Sequence, residues 1–147
     1  MKLLIKKLSE KAIIPKRATE KSAGYDLSAC LENSVTVMPH EIVKIPTGIS
    51  VELVCDADAV LYIFARSSLA TKHGITLANC VGVVDSDYRG EVIVAMINQS
   101  DNSYTISHGD RIAQLVISPV LLPEVFEAEE LSATERGEGG FGSTGKA

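Results

Sequence analysis

Four side chains that could take part in chemistry lie within five positions near the middle of the chain. Asp85, Asp87, Tyr88 and Arg89 belong to the segment VGVVDSDYRGEVIVAMI, residues 81–97. The flanking runs are rich in Val and Ile, which favour strands, so the segment is predicted to be a hairpin with DSDYRG at its tip. A hairpin holds its tip rigidly, as a binding or catalytic site requires. A solvated turn uses the same residue types, so this segment alone leaves both interpretations open.

A second group of candidates surrounds a predicted short helix, SSLATKH, which follows Arg66. The helix is expected to begin at Ser67 or Ser68, with Ser67 as a suitable N-cap, and to end at Gly74. A helix N-terminus presents free N–H groups and a positive dipole end, which suit a phosphate, and Arg66 would add a positive charge. The plainer interpretation is that Ser67 only caps the helix and that Arg66 is only a surface cation.

The C-terminal segment RGEGGFGSTGKA contains five of the eleven glycines. Such a segment cannot pack a core, and a disordered end is the plainer interpretation. Phe141 is nonetheless an isolated apolar anchor among groups that can bind phosphate, namely Arg136, Ser143, Thr144 and Lys146. An arm that closes over a ligand has this composition. The residues GFGSTGKA nearly match the P-loop pattern. That loop needs a preceding strand, a following helix and a Ser or Thr after the lysine, whereas Ala147 follows Lys146 here, so a P-loop is rejected.

The composition narrows the classes of protein that remain. The 147 residues suit one domain, and a net charge of −5 without long basic runs argues against binding to a nucleic-acid backbone. No apolar run approaches the ~20 residues of a membrane span. The N-terminus lacks a signal-peptide pattern, so a cytoplasmic location is expected. Cys30, Cys55 and Cys80 show no metal-ligand spacing and are predicted to be reduced and mostly buried.

The elements that must position these groups are predicted to be short strands. Turn signals separate apolar or alternating runs, and the repeated crossover helices of a parallel fold are absent from the pattern. The expected fold is an all-β sandwich or barrel with one short helix. A turn is expected at Pro46–Gly48, and one more strand after Pro123. The predicted strands are residues 2–8, 35–39, 42–53, 60–65, 75–77, 81–84, 91–97, 103–106 and 111–117.

Five segments, in order, resemble the five motifs of the trimeric dUTPase family. They are AGYDLSA (23–29), ARSSLATKHGI (65–75), NCVGVVDSDYRGEV (79–92), GDRIAQLVI (109–117) and RGEGGFGSTG (136–145). The resemblance covers almost the whole chain. It implies a jelly-roll-like distorted β-barrel or sandwich in residues 1–135, a flexible arm in residues 136–147 and a homotrimer with active sites between subunits.

The same resemblance implies hydrolysis of dUTP to dUMP and pyrophosphate with Mg²⁺, by attack of water on the α-phosphorus. That reaction keeps uracil out of DNA and supplies dUMP for thymidylate synthesis. Asp85 is similar to the carboxylate that orients and activates the water, and Tyr88 to the ring that packs under deoxyribose and excludes a 2′-hydroxyl. Asp26 corresponds to the acidic residue that holds the metal through water.

The remaining site residues also follow from the resemblance. Asn79, helped by backbone groups around Val84, corresponds to the uracil-reading edge, and Phe141 to an arm residue that stacks on uracil. Ser68 departs from the family pattern, in which many members have Gly, and Ala65 stands where many have Pro. The expected phosphate-side residues are Arg66, Ser67, Ser68 and Gln114, and the expected arm residues are Arg136, Phe141, Gly142, Ser143 and Thr144.

Three other classes of protein share part of this pattern. A dCTP deaminase has the same fold, but the DSDYRG segment and the full C-terminal arm favour a dUTPase. A non-catalytic binding protein, in which closure of the arm over a nucleotide serves as a signal, would have little need of Asp85. A purely structural β trimer would have no use for the arm.

Overall fold

The computed structural model describes residues 1–140, which form eleven strands and one helix. The predicted arm residues Phe141, Gly142, Ser143 and Thr144 lie outside the described part. In chain order the elements are β1 (Lys2–Lys7), β2 (Lys16–Arg17), β3 (Tyr25–Ser28), β4 (Val35–Val37), β5 (Ile42–Val54), β6 (Ala59–Ala65), α1 (Ser67–His73), β7 (Ile75–Leu77), β8 (Gly82–Val84), β9 (Glu91–Asn98), β10 (Tyr104–Ile106) and β11 (Arg111–Pro119).

Two antiparallel sheets make up most of the molecule. One has the strand order β1-β5-β9-β7, the other has the order β2-β3-β11-β6-β8, and β10 pairs with β4 in a separate ribbon. Alternate residues of β9 face the interior, so that Val92, Val94 and Met96 are buried. The all-β prediction with one short helix is confirmed. Within residues 1–140 the sheets form a sandwich and do not join into a closed barrel.

The hydrophobic core lies between these two sheets. A single cluster of buried side chains includes Ile45 and Val94 from the first sheet and Leu61 and Leu115 from the second, each at most 1% exposed. β6 supplies a nearly continuous apolar run to this core, as the sequence predicts. The core therefore fixes the spacing of the sheets and of every loop that leaves them.

The predicted hairpin over residues 81–97 is wrong. β8 pairs with β6 in the five-stranded sheet, whereas β9 pairs with β5 and β7 in the four-stranded sheet. The polar segment 85–90 therefore crosses from one sheet to the other. Two Val/Ile-rich runs with a polar connection look the same in sequence in either case, because both strands bury one face in the same core. The crossing still holds DSDYRG between two rigid strands.

Three other expectations about the strands need correction. The turn predicted at Pro46–Gly48 is a bulge inside the continuous strand β5, where the register with β9 shifts between Pro46 and Ser50. β2 and β3 were not predicted, because their polar and small residues give little alternation. No strand follows Pro123 within residues 124–140.

The short helix forms as predicted, with a different N-cap. α1 begins at Ser67, so that Arg66 is the N-cap residue, and no side chain accepts a capping hydrogen bond there. Gly74 ends the helix with a left-handed φ of 66°, which glycine adopts without strain. At seven residues, α1 is far too short to cross a membrane, and it is the only helix of residues 1–140. The three cysteines are free as expected, but Cys80 is exposed and the other two are half-buried.

Candidate active site

The segment that connects β8 to β9 is held in shape by its own backbone and by Arg89. Tyr88 N–H donates to the Asp85 carbonyl (3.1 Å), which closes a turn. Arg89 Nη1 donates to the carbonyls of Ser86 (2.8 Å) and Tyr88 (3.1 Å). Arg89 thus binds the connection itself, and its role is to brace the turn that carries Asp85.

Tyr88 has a fixed orientation although its side chain is exposed. Its hydroxyl donates to the Glu91 carbonyl at 3.0 Å, which folds the ring back along the chain. A Cβ at Gly90 would lie 2.5 Å from Cζ of the Tyr88 ring, so a side chain at position 90 would displace the ring from this orientation. The ring therefore offers one face to a ligand in a defined place.

A cavity of about 200 Å³ opens beside Asp85 and Tyr88. Val83, Val84 and Ile93 form its apolar wall, and Asp85 supplies a carboxylate at its edge. An apolar wall with a few fixed polar groups is typical of a site for a ring-bearing small molecule. We call it the Asp85 cavity.

Asp26 and two arginines form the second cluster of candidate residues. Asp26 Oδ1 lies 3.0 Å from Arg66 Nε, and Asp26 Oδ2 lies 3.0 Å from Arg111 Nη1. The Asp26 side chain is 18% exposed and that of Arg66 22%, so their interaction is partly shielded from water. Arg66 Nη1 also donates to the Arg111 carbonyl at 3.3 Å. Asp26 therefore orients the Arg66 guanidinium while part of that group stays free for a ligand.

Gln114 lies next to this cluster because β11 pairs with β3, and Gln114 is the register partner of Asp26. Its Nε2 donates to the Ala65 carbonyl at 3.1 Å. A Cβ at Gly24 would lie 2.5 Å from Gln114 Oε1, so Gly24 leaves room for the amide. The fold thus fixes the Gln114 amide beside the start of α1.

These residues line a second cavity, of about 170 Å³, which we call the Arg66 cavity. A guanidinium, hydroxyls and an amide at one opening can donate several hydrogen bonds to the oxygens of a phosphate. The structure brings the predicted phosphate-side residues together. The lining residues are Ala18, Ser22, Gly24, Asp26, Arg66, Ser67, Ser68 and Gln114.

The two cavities lie at different positions along β6. Val84, which precedes Asp85, pairs with Leu61, whereas Arg66 follows the end of the strand. At ~3.3 Å per residue, the five steps from Leu61 to Arg66 cover about 16 Å. Within one chain Asp85 and Arg66 therefore line different cavities.

Two other predicted residues line neither cavity within one chain. Asn79 is exposed in the turn between β7 and β8. Arg136 is exposed, and its Nε donates to the Gly139 carbonyl at 2.7 Å. Sequence reasoning also missed Arg111 as the second partner of Asp26, although it lies inside the segment GDRIAQLVI. Only the register between β3 and β11 reveals that contact.

The residues present are compatible with a magnesium ion that a phosphate ligand brings with it. Within residues 1–140, no three His, Cys, Asp or Glu side chains converge on one point. Mg²⁺ is usually bound by one or two carboxylates, several waters and substrate phosphates, so a dedicated protein cage is not needed. Asp26 lines the Arg66 cavity and supplies the one carboxylate there.

Comparison with known proteins gives a consistent assignment. The dUTPase family model matches residues 10–145. The chain is 52% identical over 132 residues to the deoxyuridine 5′-triphosphate nucleotidohydrolase of Desulfitobacterium hafniense strain Y51, with 90% of this chain and 87% of that protein covered. The corresponding enzyme of Nautilia profundicola is 49% identical over 146 residues, with 99% and 100% covered.

Solved structures agree with the sequence relatives. The dUTPase of Staphylococcus bacteriophage 80alpha with dUPNHPP is 31% identical, with a TM-score of 0.88 and 99% of both chains covered. A mutant of the dUTPase from phage phi11 of S. aureus, which is described with a structural Mg(II) ion, is 25% identical with a TM-score of 0.80, and 90% and 100% of the chains are covered. By its family match, its relatives and its fold, this chain belongs to the dUTPase family.

Proposed function

We propose that this protein is a dUTP diphosphatase that hydrolyses dUTP to dUMP and pyrophosphate with Mg²⁺. One observation carries the proposal: the fold sorts the motif residues into one cavity suited to a nucleoside and one suited to phosphates. Asp85 and Tyr88 lie at the first, and Arg66, Ser67 and Gln114 lie at the second. A nucleoside triphosphate needs both kinds of surface.

The Asp85 cavity is proposed to bind the deoxynucleoside. The fixed Tyr88 ring packs against deoxyribose and leaves no space for a 2′-hydroxyl. The Asp85 carboxylate accepts a hydrogen bond from a water molecule and aligns it with the α-phosphorus. General-base assistance of this kind typically contributes ~10²–10⁴-fold to a rate. Asn79 and backbone groups around Val84 are proposed to read the uracil edge.

The Arg66 cavity is proposed to bind the phosphates. The Arg66 guanidinium and the hydroxyls of Ser67 and Ser68 donate to phosphate oxygens, and the Gln114 amide adds a further donor. These groups stabilise the negative charge that moves onto the leaving pyrophosphate. Mg²⁺, when bound with the substrate, neutralises phosphate charge, and Asp26 is the residue proposed to hold it through water.

The complete site is proposed to form in a homotrimer. The phosphates are bonded directly to the phosphorus that the Asp85-aligned water attacks, whereas within one chain the backbone of β6 from Leu61, opposite Val84, to Arg66 covers about 16 Å. The Arg66 cavity of a neighbouring chain would remove this mismatch. Residues 121–131 add a reason for association, because five large apolar side chains there are 69–94% exposed. They are Leu121, Leu122, Val125, Phe126 and Leu131.

The arm is proposed to complete each site from another chain. Arg136 lies in the described part of the arm, and it follows residues 120–135, which form neither strand nor helix and include five glutamates. Phe141 is proposed to stack on uracil, and Gly142, Ser143 and Thr144 to reach the phosphates. Closure over the ligand would exclude bulk water and strengthen the electrostatic contacts.

Pyrophosphate release from dUTP, dCTP, dTTP and UTP, measured in parallel with and without Mg²⁺, tests this function. We expect selective release from dUTP that depends on the metal. Asp85→Asn should still bind dUTP, while its turnover falls by roughly 10²-fold or more. Release of ammonia from dCTP would indicate a deaminase instead, and turnover near the wild-type rate in Asp85→Asn would remove Asp85 from its proposed role.

A further inference from the structure

The bulge in β5 lies directly opposite the connection that carries the candidate residues. Pro46 pairs with Ile93 and Ser50 pairs with Glu91, so three residues of β5 face a single residue of β9. Gly48 lies in the bulge with a φ of 69°, and a Cβ there would lie 2.7 Å from Cys30 Sγ. Because the bulge breaks the ladder, the Gly48 N–H needs another acceptor.

Glu91 supplies that acceptor with its side chain. The Gly48 N–H donates to Glu91 Oε1 at 2.8 Å in a partly buried setting. Two further bonds join the bulge to the same stretch of chain, because Thr47 Oγ1 donates to the Val92 carbonyl (2.5 Å) and Ser50 Oγ to the Arg89 carbonyl (3.0 Å). The segment from Arg89 to Val92 is therefore held on the bulge by three hydrogen bonds.

The Glu91 carbonyl is also the group that holds Tyr88. It accepts the Tyr88 hydroxyl proton at 3.0 Å, and Glu91 lines the Asp85 cavity beside that ring. Glu91 thus connects two features, because its carboxylate binds the bulge and its carbonyl binds Tyr88. A shift of the Glu91 backbone would move the acceptor on which the orientation of the Tyr88 ring depends.

We infer that Glu91 is a positioning residue that sets the discrimination between deoxyribose and ribose substrates. It does so without touching the substrate, by fixing the carbonyl that anchors Tyr88. The inference rests on the proposed function, in which Tyr88 excludes the 2′-hydroxyl. It goes beyond that function, because it makes the discrimination between deoxyribose and ribose depend on the β5 bulge as well as on Tyr88.

Two substitutions separate hydrogen bonding from charge as the property that Glu91 supplies. Glu91→Gln keeps an oxygen that can accept from the Gly48 N–H. Glu91→Ala removes it and leaves a partly buried donor without a partner, which the backbone relieves by moving. Glu52 is a matched control, because it is also a carboxylate near this connection but only forms a half-exposed pair with Arg89 (3.4 Å).

The test is the ratio of kcat/KM for dUTP to kcat/KM for UTP, measured on the full-length protein and its variants. We expect the ratio to fall by about tenfold in Glu91→Ala, which corresponds to about 1.4 kcal/mol, with most of the change in the UTP reaction. Glu91→Gln and Glu52→Ala should keep the ratio within about twofold of wild type. Tyr88→Phe, which removes only the hydroxyl, should lower the ratio in the same direction as Glu91→Ala.

The outcomes separate this inference from the proposed function. Wild-type protein that does not hydrolyse dUTP refutes the function itself. An unchanged ratio in folded Glu91→Ala, or a fall in Glu91→Gln as large as that in Glu91→Ala, overturns the positioning role. If Glu91→Ala does not fold, Tyr88→Phe provides the test. An unchanged ratio in Tyr88→Phe would show that the hydrogen bond to the Glu91 carbonyl has no part in the discrimination between deoxyribose and ribose. When both single variants fold, the double variant should lose no more than the larger single loss.

Discussion

Replacement of Asp26 by asparagine tests whether the Asp26 carboxylate orients Arg66. Asp26 accepts from Arg66 at one oxygen and from Arg111 at the other, both at 3.0 Å. An asparagine has the same shape but only one acceptor oxygen, and its NH₂ group faces a guanidinium donor. Asp26→Asn therefore keeps at most one of the two contacts and loses the negative charge between two cations.

The expected loss of stability follows from the exposure of the partners. Asp26 and Arg66 are 18% and 22% exposed, and a hydrogen bond to a charged group in such a setting contributes about 1.5–3 kcal/mol. Arg111 is 54% exposed, so its pair with Asp26 adds about 0–1 kcal/mol after screening by solvent. We expect Asp26→Asn to lower the free energy of unfolding by about 2–3 kcal/mol and to raise KM for dUTP, because the Arg66 guanidinium is no longer fixed.

Urea unfolding followed by far-UV circular dichroism measures this loss. With a slope of about 2 kcal/mol per molar urea, the midpoint should fall by about 1 M. All proteins must be compared at one concentration, since association stabilises the folded state. Glu32→Gln is the control, because its partner Lys11 is half-exposed and Glu32 itself is mostly exposed, so no measurable change is expected. Equal midpoints for the two variants would show that the contacts of Asp26 with Arg66 and Arg111 do not stabilise the fold.

Two further predictions concern the arm and the behaviour at high pH. A chain that ends at Glu135 should keep the wild-type circular dichroism spectrum and lose most dUTP turnover, and an unchanged rate would exclude the arm from the site. Burial, with a smaller effect of Asp110, raises the pKa of Tyr104 above its ordinary 10.0. The unfolded chain therefore loses this proton first, and the stability contributed by the neutral phenol is complete below pH 10.0 and lost as the pH rises through the raised pKa. Thermal melts from about pH 9 to about pH 11 should show a steeper loss in wild type than in Tyr104→Phe, and parallel curves would contradict this assignment.

Alternation of apolar residues made most strands predictable, and side-chain chemistry suggested the two clusters. The pairing of the strands was not predictable, because residues 81–84 and 91–97 carry the same pattern whether they pair with each other or lie in opposite sheets. β3 escaped prediction for a different reason. Its residues Tyr25–Ser28 are four in number and include two polar side chains, and the strand is stabilised by its pairing with β11.

The family motifs identified the candidate residues but gave no distances between them. Asp26 and Arg111 are 85 residues apart in sequence, and the contact between them depends on the register of two strands. The link from Glu91 to Gly48 likewise depends on a bulge that looks like a turn in the sequence. The separation of Asp85 from Arg66 along β6 was inaccessible for the same reason, since it follows from the pairing of β6 with β8.

Mixed trimers of two inactive variants test most directly the central claim that each active site combines the Asp85 cavity of one chain with the Arg66 cavity of another. Asp85→Asn and Arg66→Ala should each have very low dUTP turnover alone. When equal amounts are unfolded and refolded together, a site that takes Asp85 and Arg66 from different chains has both groups in about a quarter of random combinations. We expect recovery of about a quarter of wild-type turnover in the mixture. Turnover no greater than the mean of the two separate variants, in mixed trimers verified by native mass spectrometry, would contradict it.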